Sequence, residues 1–383
     1  MSFEIRTDRP ERVVRAALDA WRRARKPRGG LLFVSGRLVE ALPQVASALA
    51  EQLPAAGEDT PVWLLAAGVG VLTERGEVER QSAAAGMVLD GLTATGVPSG
   101  PRLEALAEPL ADALAAQPAA TALVMVRADA FEEDMFQGLA VGPRSHLGTR
   151  AFGGGAAPGQ DVYVVRPRDV SGGAGAALLV RGPGPARIVT APGCRLLGPL
   201  RPVTQARGSM LLEIAGERAL DVLSSSAAGL EDQPLVLLAI AGSPERGELN
   251  EPPGGAPPVL LRAIQGVDPS RGGVLAGEPL SVGTQVAFAV RDAAAARTRL
   301  DTELRHLARA SAGSAPRFGI YVNCAGRGAA LHGAADVDTK LVRGRFRDLP
   351  LVGLQTAFEL SPFGGRLSVQ LYSGVFALFC APS

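Results

Sequence analysis

The run Phe318-Gly319-Ile320-Tyr321-Val322-Asn323-Cys324-Ala325-Gly326-Arg327-Gly328 constrains the fold more than any other part of this chain. Its apolar residues carry a buried strand up to Cys324. The small residues after it allow a tight turn with close backbone approach. Asp336 or Asp338 then stands where a helix N-cap is expected. A strand end, a turn and a helix start expose backbone N–H groups in a concave spot, which suits a small polar or anionic ligand.

The chain has 383 residues, room for two or three domains with a sizeable core. Hydrophobic residues make up 47% and charged ones 20%, a globular rather than a disordered composition. The formal net charge of +1 gives no global field selecting nucleic acid or membrane. Cys194, Cys324 and Cys380 form neither a disulfide framework nor a CxxC pair, so a reducing, cytoplasmic setting is expected. Residues 1–10 are polar, without the apolar core of a signal peptide, and no apolar run approaches a membrane span. His146, His306 and His332 lie far apart without metal-site spacing, so neither metal nor cofactor is expected.

Periodicity predicts helices over 10–25, 38–53, 102–115, 131–139, 216–224, 292–309 and 336–346. Strands are expected over 30–36, 61–66, 83–89, 122–127 and 318–324. After 151 short β-rich runs recur between Gly and Pro signals, which predicts hairpins. Residues 243–258 read as an exposed loop. Together these give an α+β chain, with a helix in 1–28 packed on a first module at 29–215 and a second module at 216–383. Each module is expected to be largely antiparallel sheet with packed helices, the two burying a shared interface.

The motifs resemble those of the FIST (F-box and intracellular signal transduction) sensory-domain proteins. Leu64-Leu65-Ala66-Ala67-Gly68-Val69-Gly70, followed by Gly76-Glu77-Val78-Glu79, is similar to the family's small-residue turn and Glu-x-Glu. Phe152-Gly153-Gly154-Gly155-Ala156-Ala157 is similar to its glycine-rich segment, and Cys324-Ala325-Gly326-Arg327-Gly328 to its Cys-x-Gly-Arg-Gly. Phe358-Glu359-Leu360-Ser361-Pro362 resembles its Gly-Glu-x-Gly-Pro, with Phe358 and Ser361 in place of glycines. The resemblance implies N- and C-terminal FIST modules in a small-ligand-binding sensory protein of bacterial signalling. It implies amino acids as the ligand class and no enzymatic activity.

The candidate ligand-binding residues are Cys324, Gly326, Arg327, Gly328, Glu359, Glu77, Glu79, Gly68, Gly153 and Gly154. Cys324 reads as a buried core thiol, a ligand contact, or a nucleophile activated by Arg327 and a helix N-terminus. Glu77 and Glu79 alternate by two, so on a strand both point to one face, lining a cavity or meeting solvent. Glu359 lies in an apolar run and needs a partner if buried; Arg327 is a candidate, the pair suiting both ends of a zwitterion. His332 reads as a surface turn residue more readily than as a ligand contact. Gly326-x-Gly328 and the 153–155 glycines lack the remainder of any nucleotide fingerprint. The leading functional reading is a sensor passing its signal to a separate protein or through a homo-oligomer. The alternatives are a hydrolase or transferase with Cys324 as nucleophile, and a scaffold.

Overall fold

Three stretches of the chain run through the same order of strands, with helices on their connections. The computed structural model describes residues 1–54, 60–132, 147–182, 184–230, 235–242 and 258–381. The first unit has β1 (Ser2–Arg6), α1 (Pro10–Arg23), β2 (Pro27–Ser35), α2 (Leu42–Gln52), β3 (Val62–Ala67), a hairpin of β4 (Gly70–Thr73) and β5 (Gly76–Glu79), and β6 (Ala83–Asp90). The second has β7 (Thr93–Pro98), α3 (Ala107–Ala116), β8 (Ala120–Arg127), β9 (Ala151–Ala156), a hairpin of β10 (Val162–Arg166) and β11 (Asp169–Gly173), and β12 (Gly175–Arg181). The third opens with β13 (Arg187–Pro192) and is then interrupted.

The interruption holds β14 (Cys194–Leu196), β15 (Arg201–Arg207), β16 (Met210–Ile214), β17 (Glu217–Arg218), α4 (Ala219–Ala227), β18 (Val236–Ala241), β19 (Val259–Asp268), β20 (Gly273–Ala276) and β21 (Gln285–Arg291). Antiparallel pairing runs β21-β15-β16-β20-β19-β18 and returns to β21, closing a small barrel. Closure leaves few free edges. Val203, Leu211, Leu238, Val286 and Phe288 fill it. The third unit then resumes with α5 (Ala293–Ala310), β22 (Pro316–Cys324), α6 (Gly328–His332), α7 (Val337–Arg345), β23 (Leu351–Thr356), a hairpin of β24 (Glu359–Phe363) and β25 (Arg366–Gln370), and β26 (Ser373–Cys380).

In each unit two strands run parallel, β2–β3, β8–β9 and β22–β23, and a third lies antiparallel on the other side. The hairpin leaves its own sheet. That of the first unit joins β23, that of the third joins β9, and that of the second joins β3. The exchange is cyclic and closes, so strands from both sequence halves share sheets. The fold is α+β and mostly antiparallel, as the sequence pattern predicts.

The inner faces of the three sheets meet around a pseudo-threefold axis in one apolar cluster, with Phe33, Leu64, Met125, Phe152, Ile320 and Leu354 among its members. Burial of each such side chain contributes about 1.5–3 kcal/mol. The outer faces are covered by α1 and α2, by α3, and by α5 and α7. At one end of the axis three backbone bonds form a ring. Val69 N donates to Gln355 O (3.0 Å), Ala357 N to Gly155 O (2.9 Å), and Ala157 N to Ala67 O (2.8 Å).

The edge strands β1 and β7 and the short α6 are additions to the expected elements. The expected helix at 131–139 and loop at 243–258 fall mostly outside the described residues, as does His146. Among the described residues no helix is long and apolar enough to cross a membrane.

Candidate functional site

The ladders fix which positions are equivalent in the three units. Val34 pairs with Ala67, Val126 with Gly155 and Asn323 with Gln355. One step on, Ser35, Arg127 and Cys324 correspond, as do Gly68, Ala156 and Thr356. From the antiparallel ladders, Ala83, Ala174 and Ser373 correspond. Glu359 in the exchanged hairpin corresponds to Val71 and Val162. The third unit therefore places Asn323, Gln355, Cys324, Thr356, Ser373 and Glu359 where the other two place mostly Val, Ala and Gly. All six are buried, Cys324 being 7% exposed and the others at most 1%.

On the axis side of the strand ends, the Glu359 carboxylate accepts from Ser373 N (3.0 Å) and Thr356 Oγ1 (3.2 Å). Burial raises its pKa well above the usual carboxylate range against those two hydrogen bonds, which favours the protonated acid. Burial, then the nearby Glu359, pushes the Cys324 thiol up to about 11; burial pushes Cys194 up to about 12. Neither is a thiolate at neutral pH, which runs against a nucleophile reading. Glu359 pairs across the ladder with Gly154, and Leu360 with Gly153. A Cβ on Gly154 would stand 2.6 Å from Phe358 O and 2.9 Å from Thr356 Oγ1. Ser361, also fully buried, has an unpartnered Oγ.

On the helix side, Arg327 is buried and fully engaged. Nε donates to Asp338 Oδ2 (2.5 Å), Nη1 to Ala191 O (2.9 Å) and Nη2 to Ala296 O (3.2 Å). Its charge partner is Asp338, not the expected Glu359. Tyr321 OH also donates to Asp338 Oδ2 (2.7 Å), and His332 Nε2 lies 3.2 Å from Oδ1. Burial alone would raise Asp338; the Arg327 guanidinium and these hydrogen bonds outweigh it and hold the carboxyl well below its usual range. The His332 side chain is 1% exposed, so the surface reading of this residue is corrected.

Glu77 and Glu79 cap helices of the third unit. Glu77 Oε1 accepts from Thr339 N (3.2 Å) while Asp336 Oδ1 accepts from Glu77 N (2.7 Å), a reciprocal exchange at the start of α7. Glu79 Oε1 accepts from Ala329 N (2.9 Å) in the first turn of α6. Burial, then the charge of Asp338, pushes Glu77 up to about 7. Asp336 serves the neighbouring strand rather than its own helix, whose N-cap position it occupies. Gly328 leaves room for this arrangement: a Cβ there would stand 2.2 Å from Glu79 Oε1 and 2.8 Å from Gln355 Nε2.

The structure thus gathers Cys324, Glu359, Gly153 and Gly154 at the axis and sets Arg327, Gly328, Glu77 and Glu79 behind them. Gly68 packs against Gln355 O at the ring. Gly326 receives a hydrogen bond at its O from Arg291, which ends the barrel strand β21 and lies 5.3 Å from the Tyr372 ring. Asn323, Gln355 and Arg291 escaped sequence reasoning, and Asp338 was read only as a candidate helix N-cap. Asn323 stood in the strongest motif, and its amide in an apolar strand was the available signal. Both amide atoms of Asn323 and of Gln355 are buried without a partner. The concave spaces lined at 340–348, around Met1 and within 198–288 are not walled by Cys324.

Residues 29–217 match the FIST N domain and 217–362 the FIST C domain. The chain is 33% identical over 240 residues to an uncharacterized protein of Mycobacterium tuberculosis, and 31% identical over 244 residues to one of Mycobacterium bovis. Each match covers 61% of this chain and 61% of the relative, so the chain spans less than two thirds of the relatives it matches.

Proposed function

This chain belongs to the FIST family, whose domains are sensory domains of signal transduction, and from that premise we propose that it binds a small metabolite, an amino acid or a close analogue, at the polar strand ends of the third unit. The observation that carries the reading is the break in pseudo-symmetry. Two units place Val, Ala and Gly where the third buries the Glu359 carboxyl and the Thr356 and Ser373 hydroxyls, and they place Ser35 and Arg127 where the third buries the Cys324 thiol. Buried polar groups cost stability unless they are satisfied, so a ligand is the economical reason to keep them.

The chemistry suits an ammonium group. Glu359 is neutral when no cation is near, and an incoming ammonium favours its ionised form, so binding releases a proton. Arg327 is neutralised by Asp338 and is not the carboxylate clamp. Arg291, which makes no ion pair among the described residues, is the guanidinium left to face an anionic end. Because Arg291 belongs to the inserted barrel, occupancy biases how the barrel sits on the third unit, and a separate signalling protein reads that difference.

A thermal-shift screen against amino acids and related metabolites tests this. A ligand at about 100 times its Kd adds about 2.7 kcal/mol of stability. The response should weaken in Glu359→Gln and in Arg291→Ala, and calorimetry in buffers of different ionisation enthalpy should show proton release. Absence of any stabilising metabolite, or a full response in the Glu359→Gln, Arg291→Ala double variant, defeats the reading.

A further inference from the structure

Helix α7 joins the buried network to an open face. Its N-terminal turn carries Asp338, bound to Arg327, and Thr339, bound to Glu77. Its outer side carries exposed Lys340, Arg343 and Gly344, and Arg347 continues that side just past the helix end. Positions 340, 343 and 347 fall on one helical face. With Asp348 they line an open groove of about 410 Å³. Among the described residues Arg343 and Arg347 make no ion pair, whereas the neighbouring Arg345 is tied to Asp301. The groove is cationic in a chain whose net charge is only +1.

Gly344 gives an independent indication. A glycine inside a helix costs about 1 kcal/mol relative to alanine. Here a Cβ would meet nothing within 4 Å, so no internal contact demands the glycine. Bare backbone at the floor of a cationic groove is what a closely approaching chain needs.

We propose that this face of α7 is the docking site for an acidic segment of a partner protein, its carboxylates meeting Lys340, Arg343 and Arg347 and its backbone lying over Gly344. Three cations over two helical turns match a short acidic peptide. They are too few and too localised for the phosphate contacts of a duplex, and the groove has no exposed apolar side chain to enter a bilayer. This deepens the signalling reading by naming its partner class. It is read with no small ligand present, so its failure and that of the ligand site are separable.

The test uses the full chain and a fluorescein-labelled peptide of three Glu-Glu-Ala repeats, followed by anisotropy at low and at physiological salt. Binding should weaken with salt and be lost in Lys340→Glu, Arg343→Glu, Arg347→Glu. It should persist in Arg12→Glu, Arg15→Glu, Arg23→Glu, which makes the same charge change on α1. Gly344→Ala should raise the melting temperature yet weaken the peptide about tenfold or more, a split equivalent to about 1.4 kcal/mol of binding. Equal binding by the α7 and α1 variants, undiminished binding by Gly344→Ala, or binding to duplex DNA or anionic vesicles but not to the peptide overturns the proposal.

Discussion

The strand ends of the first and third units share a backbone and differ in nearly every side chain that matters. In the first, Gly68, Val71 and Ala83 close the axis side, while Val34 and Ala67 pack under α1 and α2. In the third, Asn323, Gln355, Thr356, Glu359 and Ser373 occupy the same places at the same depth. The first unit shows what the fold needs at these positions; the departures in the third are what it carries beyond folding. The units also depend on each other. The first unit's hairpin supplies Glu77 and Glu79 as caps for helices of the third, so the stability of the polar unit is written partly in the apolar one.

The comparison is broken most severely through Asp338. Asp338→Ala leaves Arg327 buried and uncompensated, and denaturant unfolding should show a loss of about 3–5 kcal/mol. A loss below about 1 kcal/mol would mean that Arg327 reaches solvent and that the third unit is less closed than the first. Glu77 offers a second, pH-dependent lever. Its folded pKa of about 7 lies above the ordinary 4.5. The native state therefore holds the proton more tightly, and this contribution is whole below about pH 4.5 and lost as pH rises through about 7. At about 1.4 kcal/mol per unit the loss approaches roughly 3 kcal/mol, and Glu77→Gln should flatten stability across that window.

Asn323→Val sharpens the comparison by giving the third unit the residue found in the other two. Removing two unpartnered buried atoms should stabilise the protein by about 1–2 kcal/mol, read as a higher melting temperature. A lower one would reveal a polar partner that the first unit lacks. The smallest effect is expected from Glu79→Ala, which uncaps α6 and should cost about 1 kcal/mol in thermal unfolding.

Much of this was legible in advance. Alternation and helical periodicity located most strands and helices, because those periods follow from backbone geometry within a few residues. The motifs also named residues that meet: Cys324, Glu359, Gly153 and Gly154 come from three separate segments and converge at the axis. The roles were harder. Arg327 seemed suited to Glu359, and nothing local pointed to Asp338 on the far side of a turn. Glu77 and Glu79 were correctly placed on one strand, but the backbone N–H groups that donate to them lie 262 and 250 residues away.

The sequence by itself determined the local vocabulary, including the strand that ends at Cys324, the glycines that let backbones touch, and a composition able to bury a core. Tertiary structure alone decided which sheet each hairpin joined, and hence which carboxylate faced which guanidinium and which helix end. The physical reason is range. A strand's period states which face is apolar, whereas the identity of its neighbour is settled by closing the cycle of three sheets, a condition no single segment contains.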